Sequence, residues 1–390
     1  MIQPGPAAQR LRGSQRAWLA QPPREDQPPI ALDKGDPSFG TPEYICEAAI
    51  RAIRDGYTHY PPGPGYGDLR AAIATKLSSH TARPFNADEV FITSGGTGAI
   101  FAALAAFLAP GDQIVTLDPT YSIYVDVGRA LDVDTVYVPL AAGFRVDLEA
   151  LAAAITPQTR ALVINSPNNP TGSVLTAAEL DGMAALAERH DLLVVSDEVY
   201  DRILFDGRHH VSALDHPGLV ERTVLVNSFS KSYAMTGWRI GYVAGRRDLV
   251  TATGTLHRTM VGGVSTPAQR AALAAITDPA EADWLTWMQG QYCSRRAALV
   301  QALASAGLPV DQAPEGSFYA FFRHGLDLAS ADVTGALADH GVLVRSGSEF
   351  GPSGEGYLRV TFTNDEAEIA EGVRRIGATL KALTRPELLA

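Results

Sequence analysis

The stretch TVLVNSFSKSYAMTGWRIGYVAG, residues 223–245, begins with one apolar run and ends with another. Short runs rich in Val, Ile and Leu are typical of strands that are buried on both faces of a sheet. Hydroxyl-bearing residues and Lys231, one of only four lysines in the chain, lie between the two runs. A lone lysine is usually a solvated surface charge. Since parallel sheets bind ligands at the carboxyl ends of their strands, Lys231 is a candidate functional residue once other polar loops meet at the same edge.

The same alternation of short apolar runs with longer amphipathic segments extends outward from this stretch, mostly towards the N-terminus. The apolar runs that we predict as strands are residues 90–93, 113–117, 136–140, 161–165, 192–198, 223–229 and 240–245. Strands that alternate with helices are typical of a mostly parallel sheet. The sequence therefore predicts an α/β domain in which helices flank a mostly parallel seven-stranded sheet.

The pattern changes in the last third of the chain. A long helical pattern covers residues 284–306, and apolar runs follow at 318–322, 342–345 and 357–362 before a closing helix. This succession is typical of a smaller α+β domain. We expect the Pro-, Gln- and Arg-rich start of the chain to be loosely structured. The predicted parts are an N-terminal arm that contributes to the small domain (1–44), a large domain (45–278) and a small C-terminal domain (279–390).

The composition limits the partners that the protein can have. Of the 390 residues, 46% are hydrophobic and 19% are charged, which is typical of globular proteins. The net charge of -11 opposes binding to nucleic acid, because a positive surface is needed to displace its counterions. Cys46 and Cys293 show no spacing of a disulfide scaffold or a metal site, and no apolar run suits a membrane helix or a secretory leader. We expect a soluble cytoplasmic protein without metal, membrane or nucleic-acid partners.

Two loops at predicted strand ends carry polar residues in dense clusters. The loop SGGTGAI, residues 94–100, opens a helix. Its glycines, the Thr97 hydroxyl and the helix N-terminus suit a phosphate group, and an ordinary Gly-rich turn between a strand and a helix is the alternative. The loop INSPNNPTG is a rigid bend after a strand, which predicts structural roles for Asn165, Asn168 and Pro170.

Asp197 ends the strongly apolar run in VVSDEVY, residues 194–200. A carboxylate at the end of a buried strand is costly unless a cation pairs with it. An arginine of the chain is one such partner, and a protonated heteroaromatic nitrogen of a bound cofactor is another. The residues alone leave both partners open.

Together, the phosphate loop, the buried carboxylate and the strand-end lysine resemble the pyridoxal-phosphate enzymes of the aspartate aminotransferase superfamily (fold type I, class I/II). The motifs GDPSFGTP, NNPTG, SDEVY, SFSKSYAMTGWRIGY and YLRVTF occur in the order of that family and span almost the whole chain. The resemblance implies a fold type I enzyme whose large domain binds pyridoxal 5'-phosphate. It also implies an aminotransferase that moves the amino group of an L-amino acid to a 2-oxo acid, through an internal aldimine and pyridoxamine phosphate.

The resemblance assigns catalytic roles to Lys231, Asp197 and Tyr200. Lys231 would form the internal aldimine and later move a proton between the substrate Cα and the cofactor C4′. Asp197 would pair with the pyridine nitrogen, and Tyr200 would hydrogen-bond the 3′-oxygen. The cofactor-binding residues that the resemblance implies are Gly95, Gly96, Thr97, Tyr121, Asn169, Asp197, Tyr200, Ser228, Ser230, Lys231, Arg239 and, from a neighbouring subunit, Tyr60. The substrate-carboxylate residues that it implies are Gly35, Asn169 and Arg359.

Because Tyr60 would act from a neighbouring subunit, the resemblance also implies a homodimer with shared active sites. Two stretches depart from the family pattern. MVGG, residues 260–263, stands where many relatives have polar residues near the substrate, so an acidic substrate is less clearly supported. VRSG replaces V-x-P-G and introduces Arg345, which we expect to be exposed to solvent rather than to reach a second substrate carboxylate. His59 and Arg258 are further candidates for substrate contact.

Two alternatives to aminotransfer remain on the sequence alone. A lyase, decarboxylase or oxidase would use the same lysine and cofactor, and one or two pocket residues decide between these reactions. A non-catalytic ligand sensor would need a DNA-binding module, for which the Pro-rich arm is too short. The natural amino donor and acceptor stay open, with aromatic, branched, sulfur-containing and basic side chains all possible.

Overall fold

The computed structural model describes residues 2–14, 29–308 and 310–384, so parts of the predicted arm and of the predicted small domain lie outside the described residues. The helices in the described ranges are α1 (Pro6–Arg10), α2 (Glu43–Arg54), α3 (Gly67–Ser78), α4 (Gly95–Phe107), α5 (Ile123–Leu131), α6 (Leu148–Ala154), α7 (Ala177–Arg189), α8 (Phe229–Ser232), α9 (Arg247–Val261), α10 (Thr266–Thr277), α11 (Glu281–Ser305), α12 (Ser330–Asp339) and α13 (Glu366–Leu383). The strands are β1 (Ile30–Ala31), β2 (Val90–Thr93), β3 (Gln113–Asp118), β4 (Asp134–Pro139), β5 (Thr159–Asn165), β6 (Leu193–Asp197), β7 (Thr223–Ser228), β8 (Gly241–Gly245), β9 (Tyr319–Arg323), β10 (Val342–Leu343), β11 (Arg345–Ser346) and β12 (Tyr357–Thr361).

Within the described ranges, seven strands form one sheet in the order β2-β8-β7-β6-β5-β3-β4. β8 runs antiparallel to both of its neighbours, β2 and β7, and the other pairs are parallel. All side chains of β7 and nearly all of β5 and β6 are buried, because apolar residues fill both faces of these strands. The predicted mostly parallel seven-stranded sheet is confirmed.

The direction of the strands decides where the polar loops meet. β2 and β7 run the same way, since both are antiparallel to β8 between them. The carboxyl ends of β2, β6 and β7 therefore share one edge of the sheet. At this edge β2 leads into α4 and β7 leads into α8, which carries Lys231.

A smaller antiparallel sheet, in the order β11-β12-β9, lies beside a separate apolar core. This core includes Leu299 of α11, Phe322 of β9 and Ile376 of α13. The apolar run 342–345, predicted as one strand, forms two. β10 pairs with β1 whereas β11 pairs with β12, so the two halves of the run take hydrogen bonds from different partners.

The described part of the N-terminal arm contacts the core beside the smaller sheet and helix α5 of the predicted large domain. Leu32 follows β1 and is buried in the core of the smaller sheet. Arg10 at the end of α1 donates from Nε to the Arg129 carbonyl on α5 at 2.6 Å, and the Ser14 hydroxyl lies 2.7 Å from the Asp126 carboxylate. The arm is thus more ordered at α1 than its composition predicts, because polar contacts to α5 hold it. The division at residues 44/45 and 278/279 stays a prediction.

Three further findings concern the cysteines, groups that could bind a metal ion and helices that could cross a membrane. Cys46 is half-buried and Cys293 is exposed, and both are free thiols. Among the described residues, no His, Cys, Asp and Glu side chains are grouped so that they could hold a metal ion. None of the helices in the described ranges combines the length and apolar character that a membrane crossing requires.

Candidate functional site

A cleft of about 520 Å³ lies between the carboxyl edge of the large sheet and the smaller sheet. It contains most of the residues predicted for the site. Those that line it are Gly35, Gly96, Thr97, Tyr121, Asn169, Asp197, Tyr200, Ser228, Ser230, Lys231, Arg239 and Arg359. Loops that are distant in sequence therefore meet at one cavity, as the order of the strands requires.

Lys231 stands on α8, one turn beyond the end of β7. Its Nζ donates a hydrogen bond of 2.5 Å to the Gly35 carbonyl, and it lies 5.5 Å from the centre of the Phe318 ring. Burial lowers the pKa of Lys231 to about 8, although the negative charge of Asp36 acts in the opposite direction. Arg359 adds a repulsion that lowers this pKa further. The result is an amine that loses its proton close to neutral pH.

The lowered pKa gives a direct test on the cofactor-free protein. Because only the unprotonated amine reacts with acetic anhydride, we expect the rate of Lys231 acetylation to be half-maximal near pH 8. Peptide mass spectrometry measures this rate, with the exposed Lys381 as an internal reference in the same sample. A midpoint near 10.5, the ordinary value for lysine, would contradict the prediction.

Asp197 ends β6 and is 3% exposed. Its Oδ2 accepts a hydrogen bond of 2.7 Å from the Tyr124 hydroxyl, and its Oδ1 lies 3.4 Å from the Val199 amide nitrogen. In the described part of the chain it has no ion-pair partner, and burial raises the pKa of its carboxyl to about 6. The arginine partner that the sequence left open is therefore not found, and the carboxylate remains available to a cation bound in the cleft.

The sequence does not mark Tyr124 as a residue of the site. It is fully buried on α5, and burial raises the pKa of its hydroxyl well above the ordinary value. Its ring lies edge-on to the Tyr121 ring, with the centroids 5.9 Å apart. Tyr121 precedes α5 and Tyr124 lies in its first turn, so no helical spacing in the sequence marks the two tyrosines as a pair.

The N-terminus of α4 forms a cradle for an anion. Gly95 has a φ of 73°, and a Cβ on this residue would lie 2.8 Å from an Arg239 guanidinium nitrogen. The Arg239 Nη1 donates to the Thr236 carbonyl at 2.9 Å, which fixes the guanidinium over the helix start. The Ser228 and Ser230 hydroxyls lie 2.7 Å apart on the same side. Backbone amides, hydroxyls and a guanidinium together suit a phosphate dianion.

Arg359 projects from β12 into the cleft and is 6% exposed. One terminal nitrogen donates to the Asn169 Oδ1 at 3.2 Å, and the other donates to the Asp33 carbonyl. The guanidinium carbon lies 4.3 Å from the centre of the Tyr319 ring and 4.9 Å from that of Phe350. Its Nε has no hydrogen-bond partner among the described residues. A buried, oriented guanidinium with a free donor suits a carboxylate ligand.

Tyr200 and Tyr319 form a second buried tyrosine pair in the cleft. Their hydroxyl oxygens lie 3.0 Å apart, and their rings are nearly perpendicular with centroids 5.8 Å apart. Burial raises the pKa of the Tyr200 hydroxyl well above its usual range. Tyr319 was also missed from the sequence, because its run FYAFF has the pattern of an ordinary buried strand.

The loop between β5 and α7 makes its own hydrogen bonds, as its rigid sequence predicts. The Asn165 Oδ1 accepts from the Asn169 amide at 2.8 Å, and the Asn165 side chain donates to the Asp197 carbonyl at 3.0 Å. The Asn168 Oδ1 accepts from the Thr171 amide at 3.0 Å. These bonds hold Asn169 at the wall of the cleft and tie its loop to the strand that carries Asp197.

Several candidates lie outside the cleft of their own chain. Tyr60 is 97% exposed and lines a separate surface groove with His59 and Gly263. Met260, just before Gly263, is also exposed, so the 260–263 stretch does not reach this cleft. Arg258 instead approaches Gly63, where an added Cβ would lie 2.9 Å from the guanidinium. A single chain therefore leaves these residues without a place in the site.

The expectation that Arg345 is exposed to solvent is wrong. Arg345 is 9% exposed, lines the cleft and forms an ion pair with Glu349. The reason is the strand pairing, since β11 places Arg345 directly opposite Arg359 on β12. The sequence could not show this because β11 is only two residues long.

Comparisons with known proteins agree with this geometry. A family model described as aminotransferase class I and II matches residues 27–376. The arginine–pyruvate transaminase of Pseudomonas aeruginosa is 38% identical over 364 residues, which cover 92% of this chain and 91% of that protein. The aspartate/prephenate aminotransferase of Thermus thermophilus is 35% identical over 361 residues, which cover 90% and 91% of the two chains.

A solved structure leads to the same family. The aromatic aminotransferase from Pyrococcus horikoshii superposes with a TM-score of 0.88 at 33% identity, over 97% of this chain and 99% of that one. The named relatives are aminotransferases, which favours amino-group transfer over the lyase, decarboxylase or oxidase alternative. The family match, the identity along the chain and the shared fold thus confirm that this protein belongs to the class I and II aminotransferases.

Proposed function

We propose that this aminotransferase uses pyridoxal 5'-phosphate to move the amino group of an L-amino acid to a 2-oxo acid. One observation carries the proposal: a single cleft contains a lysine amine of lowered pKa, a glycine-lined anion cradle and a buried carboxylate that has no ion-pair partner among the described residues. These are the groups that would bind an aldehyde, a ring nitrogen and a phosphate. A small molecule that carries all three would occupy the cleft along its length.

The residues fit both charged ends of this cofactor. Gly95, Gly96 and Thr97, with Ser228, Ser230 and Arg239, would hold the phosphate, and the missing Cβ of Gly95 keeps the Arg239 guanidinium close to the helix start. Asp197 would face the pyridine nitrogen and keep a proton on it, because the buried carboxylate has no ion-pair partner in the part of the chain that the structure describes. When bound, the cofactor supplies an electron sink for the electron pair that the substrate Cα releases.

Lys231 would hold the cofactor covalently and, once displaced by the substrate amine, move the proton at the substrate Cα. A general base works best when its pKa lies near the working pH, and burial brings the pKa of Lys231 to about 8. The hydrogen bond from Nζ to the Gly35 carbonyl orients the amine within the cleft. Tyr200 and Asn169 would bond the 3′-oxygen, and the Tyr121 ring would stack on the pyridine.

Arg359 would bind the α-carboxylate of the substrate, together with the Gly35 backbone and the Asn169 side chain. The contacts of its guanidinium with Asn169 and with the Asp33 carbonyl limit its rotation. Its unpartnered Nε leaves donor capacity for a carboxylate. A substrate held in this way would present its Cα to Lys231, which lines the same cleft.

We also propose a homodimer in which Tyr60 of each chain serves the cleft of the other. The Tyr60 ring is almost fully exposed, and Met260 and Val261 nearby are 45% and 42% exposed. A second copy would cover this apolar surface. The division into a large domain (45–278) and a small domain (279–390) belongs to the same proposal, with its boundary between α10 and α11.

Visible absorption of the cofactor-loaded protein tests the proposed reaction. An L-amino acid added without an acceptor should bleach the band of the bound cofactor once per active site, and a 2-oxo acid should restore it. The amino acids that bleach the band fastest identify the class of donor. If the band persists while many equivalents of amino acid are consumed, the reaction is an elimination, decarboxylation or oxidation and the proposal is wrong.

A further inference from the structure

Arg345 and Glu349 form an ion pair in the wall of the cleft. Their side chains are only 10% and 12% exposed, and the pair joins an Arg345 terminal nitrogen to a Glu349 carboxylate oxygen. Arg345 lines the cleft, whereas Glu349 lines a second, neighbouring groove of about 320 Å³. Ser122 and Phe350 line both cavities. The two partners of the pair therefore belong to different cavities that adjoin each other.

The position of Arg345 relative to the proposed carboxylate site follows from strand register. Arg345 and Arg359 are directly opposed residues of β11 and β12. Opposed residues of antiparallel strands point to the same face, with Cβ atoms about 4.5–5.5 Å apart. The Arg345 Nε has no hydrogen-bond partner among the described residues. A substrate held at Arg359 thus has a second buried guanidinium beside it, with donor capacity still free.

Without Glu349, this guanidinium would attract a second carboxylate on the substrate side chain. With Glu349 in place, its charge is already neutralised, and an acidic side chain has to displace the Glu349 carboxylate. Burial raises the pKa of Glu349 while the charge of Arg345 opposes that shift, which indicates that the carboxylate depends on Arg345 for its stabilisation. Removing the partner of a buried charge is costly, so displacement is unfavourable.

The second groove makes displacement still less favourable. A displaced Glu349 carboxylate would turn towards Asp126 and Glu355, which line the same groove. Arg129 also lines it, but it already lies 3.7 Å from Asp126 in an ion pair. Like charges in a confined space repel, so the groove offers Glu349 no better partner than Arg345.

We propose that the Arg345–Glu349 pair is a charge filter that excludes acidic side chains, so that the amino-acid substrate has an uncharged or cationic side chain. This inference rests on the proposed function, since it takes Arg359 as the site of the α-carboxylate. Uncharged and cationic side chains leave the pair intact, because neither brings a negative charge that competes with Glu349 for Arg345. Specificity here comes from a group that opposes the wrong substrate rather than from one that binds the right one.

The test uses the cofactor-loaded enzyme and kcat/KM for L-glutamate, L-aspartate, L-alanine and L-arginine. The wild type should use both acidic amino acids less well than at least one of the other two. Glu349→Gln removes the charge but keeps the shape, and should raise the ratio of acidic to neutral kcat/KM by about tenfold or more. Adding Arg345→Gln to this variant should cancel the gain, because the gain depends on the released guanidinium. Glu371→Gln is the matched control, since Glu371 pairs with Arg374 on the surface of α13.

An unchanged ratio in a folded, loaded Glu349→Gln enzyme overturns the proposal. A wild type whose highest kcat/KM is for L-glutamate or L-aspartate overturns it as well, and this measurement does not depend on the variants folding. Failure of the proposed function looks different, since no L-amino acid would then bleach the band of the bound cofactor once per active site.

Discussion

Replacing Lys231 with alanine should lower the rate of transamination by at least about a thousandfold, since Lys231 is the one buried amine among the described residues that line the cleft. Lys34 also lines the cleft but is exposed to solvent, and Lys76 is engaged with Glu281. The variant should remain folded. The pKa of Lys231 is lowered, so its charged form is disfavoured in the folded state below about pH 8, and removing it should leave the cofactor-free protein at least as stable there.

Steady-state turnover and thermal unfolding of the same preparation measure both expectations. Lys381→Ala is the matched control, because Lys381 is an exposed residue of α13 far along the chain from the cleft loops. The control should keep wild-type turnover and unfolding temperature. Substantial transamination by the Lys231→Ala variant would falsify the assignment of the lysine, whereas an unfolded variant would contradict the stability argument.

Replacing Asp197 with asparagine should lower kcat by about a hundredfold to a thousandfold, because the site loses its negative charge at nearly constant shape. Asparagine can still accept the hydrogen bond from Tyr124, so the local packing is retained. What is lost is the buried carboxylate that would keep a proton on the cofactor ring. The fold and the phosphate cradle should be unaffected, and the loaded variant should still show a visible absorption band.

The Tyr124→Phe variant removes the hydrogen bond to Asp197 but keeps the Asp197 carboxyl group. Burial is the main cause of the raised pKa of Asp197, and the Tyr124 hydroxyl opposes it, so losing this bond should raise the pKa further. A carboxyl with a higher pKa is protonated at higher pH, and the acidic limb of the kcat–pH profile should move upward. An Asp197→Asn enzyme within threefold of the wild type would remove Asp197 from the proposed mechanism.

The sequence predicts the large sheet and the position of the site well, for physical reasons. Each central strand, such as β7, is apolar on both faces, so its bounds follow from composition alone. Lys231 and Asp197 are polar residues at the ends of such strands, where a parallel sheet collects its ligands. Gly95 stands out because a glycine at the start of a helix lets backbone amides approach an anion closely.

Other features depend on contacts that no local pattern records. Tyr124 and Tyr319 look like core aromatics in the sequence, and only the fold brings their hydroxyls to Asp197 and Tyr200. The Arg345–Glu349 pair depends on the register of a strand of two residues. Helix α9 is not predicted as a distinct element, because its threonines and glycine have low helix propensity and packing against the sheet decides its form.

The pairing of β2 with β8 has a consequence for how the protein matures. It joins Val90 to Ala244, residues about 150 positions apart, and it brings the start of α4 beside the loop that carries Lys231. Contacts between such distant segments form slowly, because the chain loses the entropy of closing a long loop before the contacts can stabilise it. The anion cradle is therefore completed only when most of the chain has been synthesised and assembled. Binding of the cofactor by a nascent chain would accordingly mark the end of folding rather than assist its beginning.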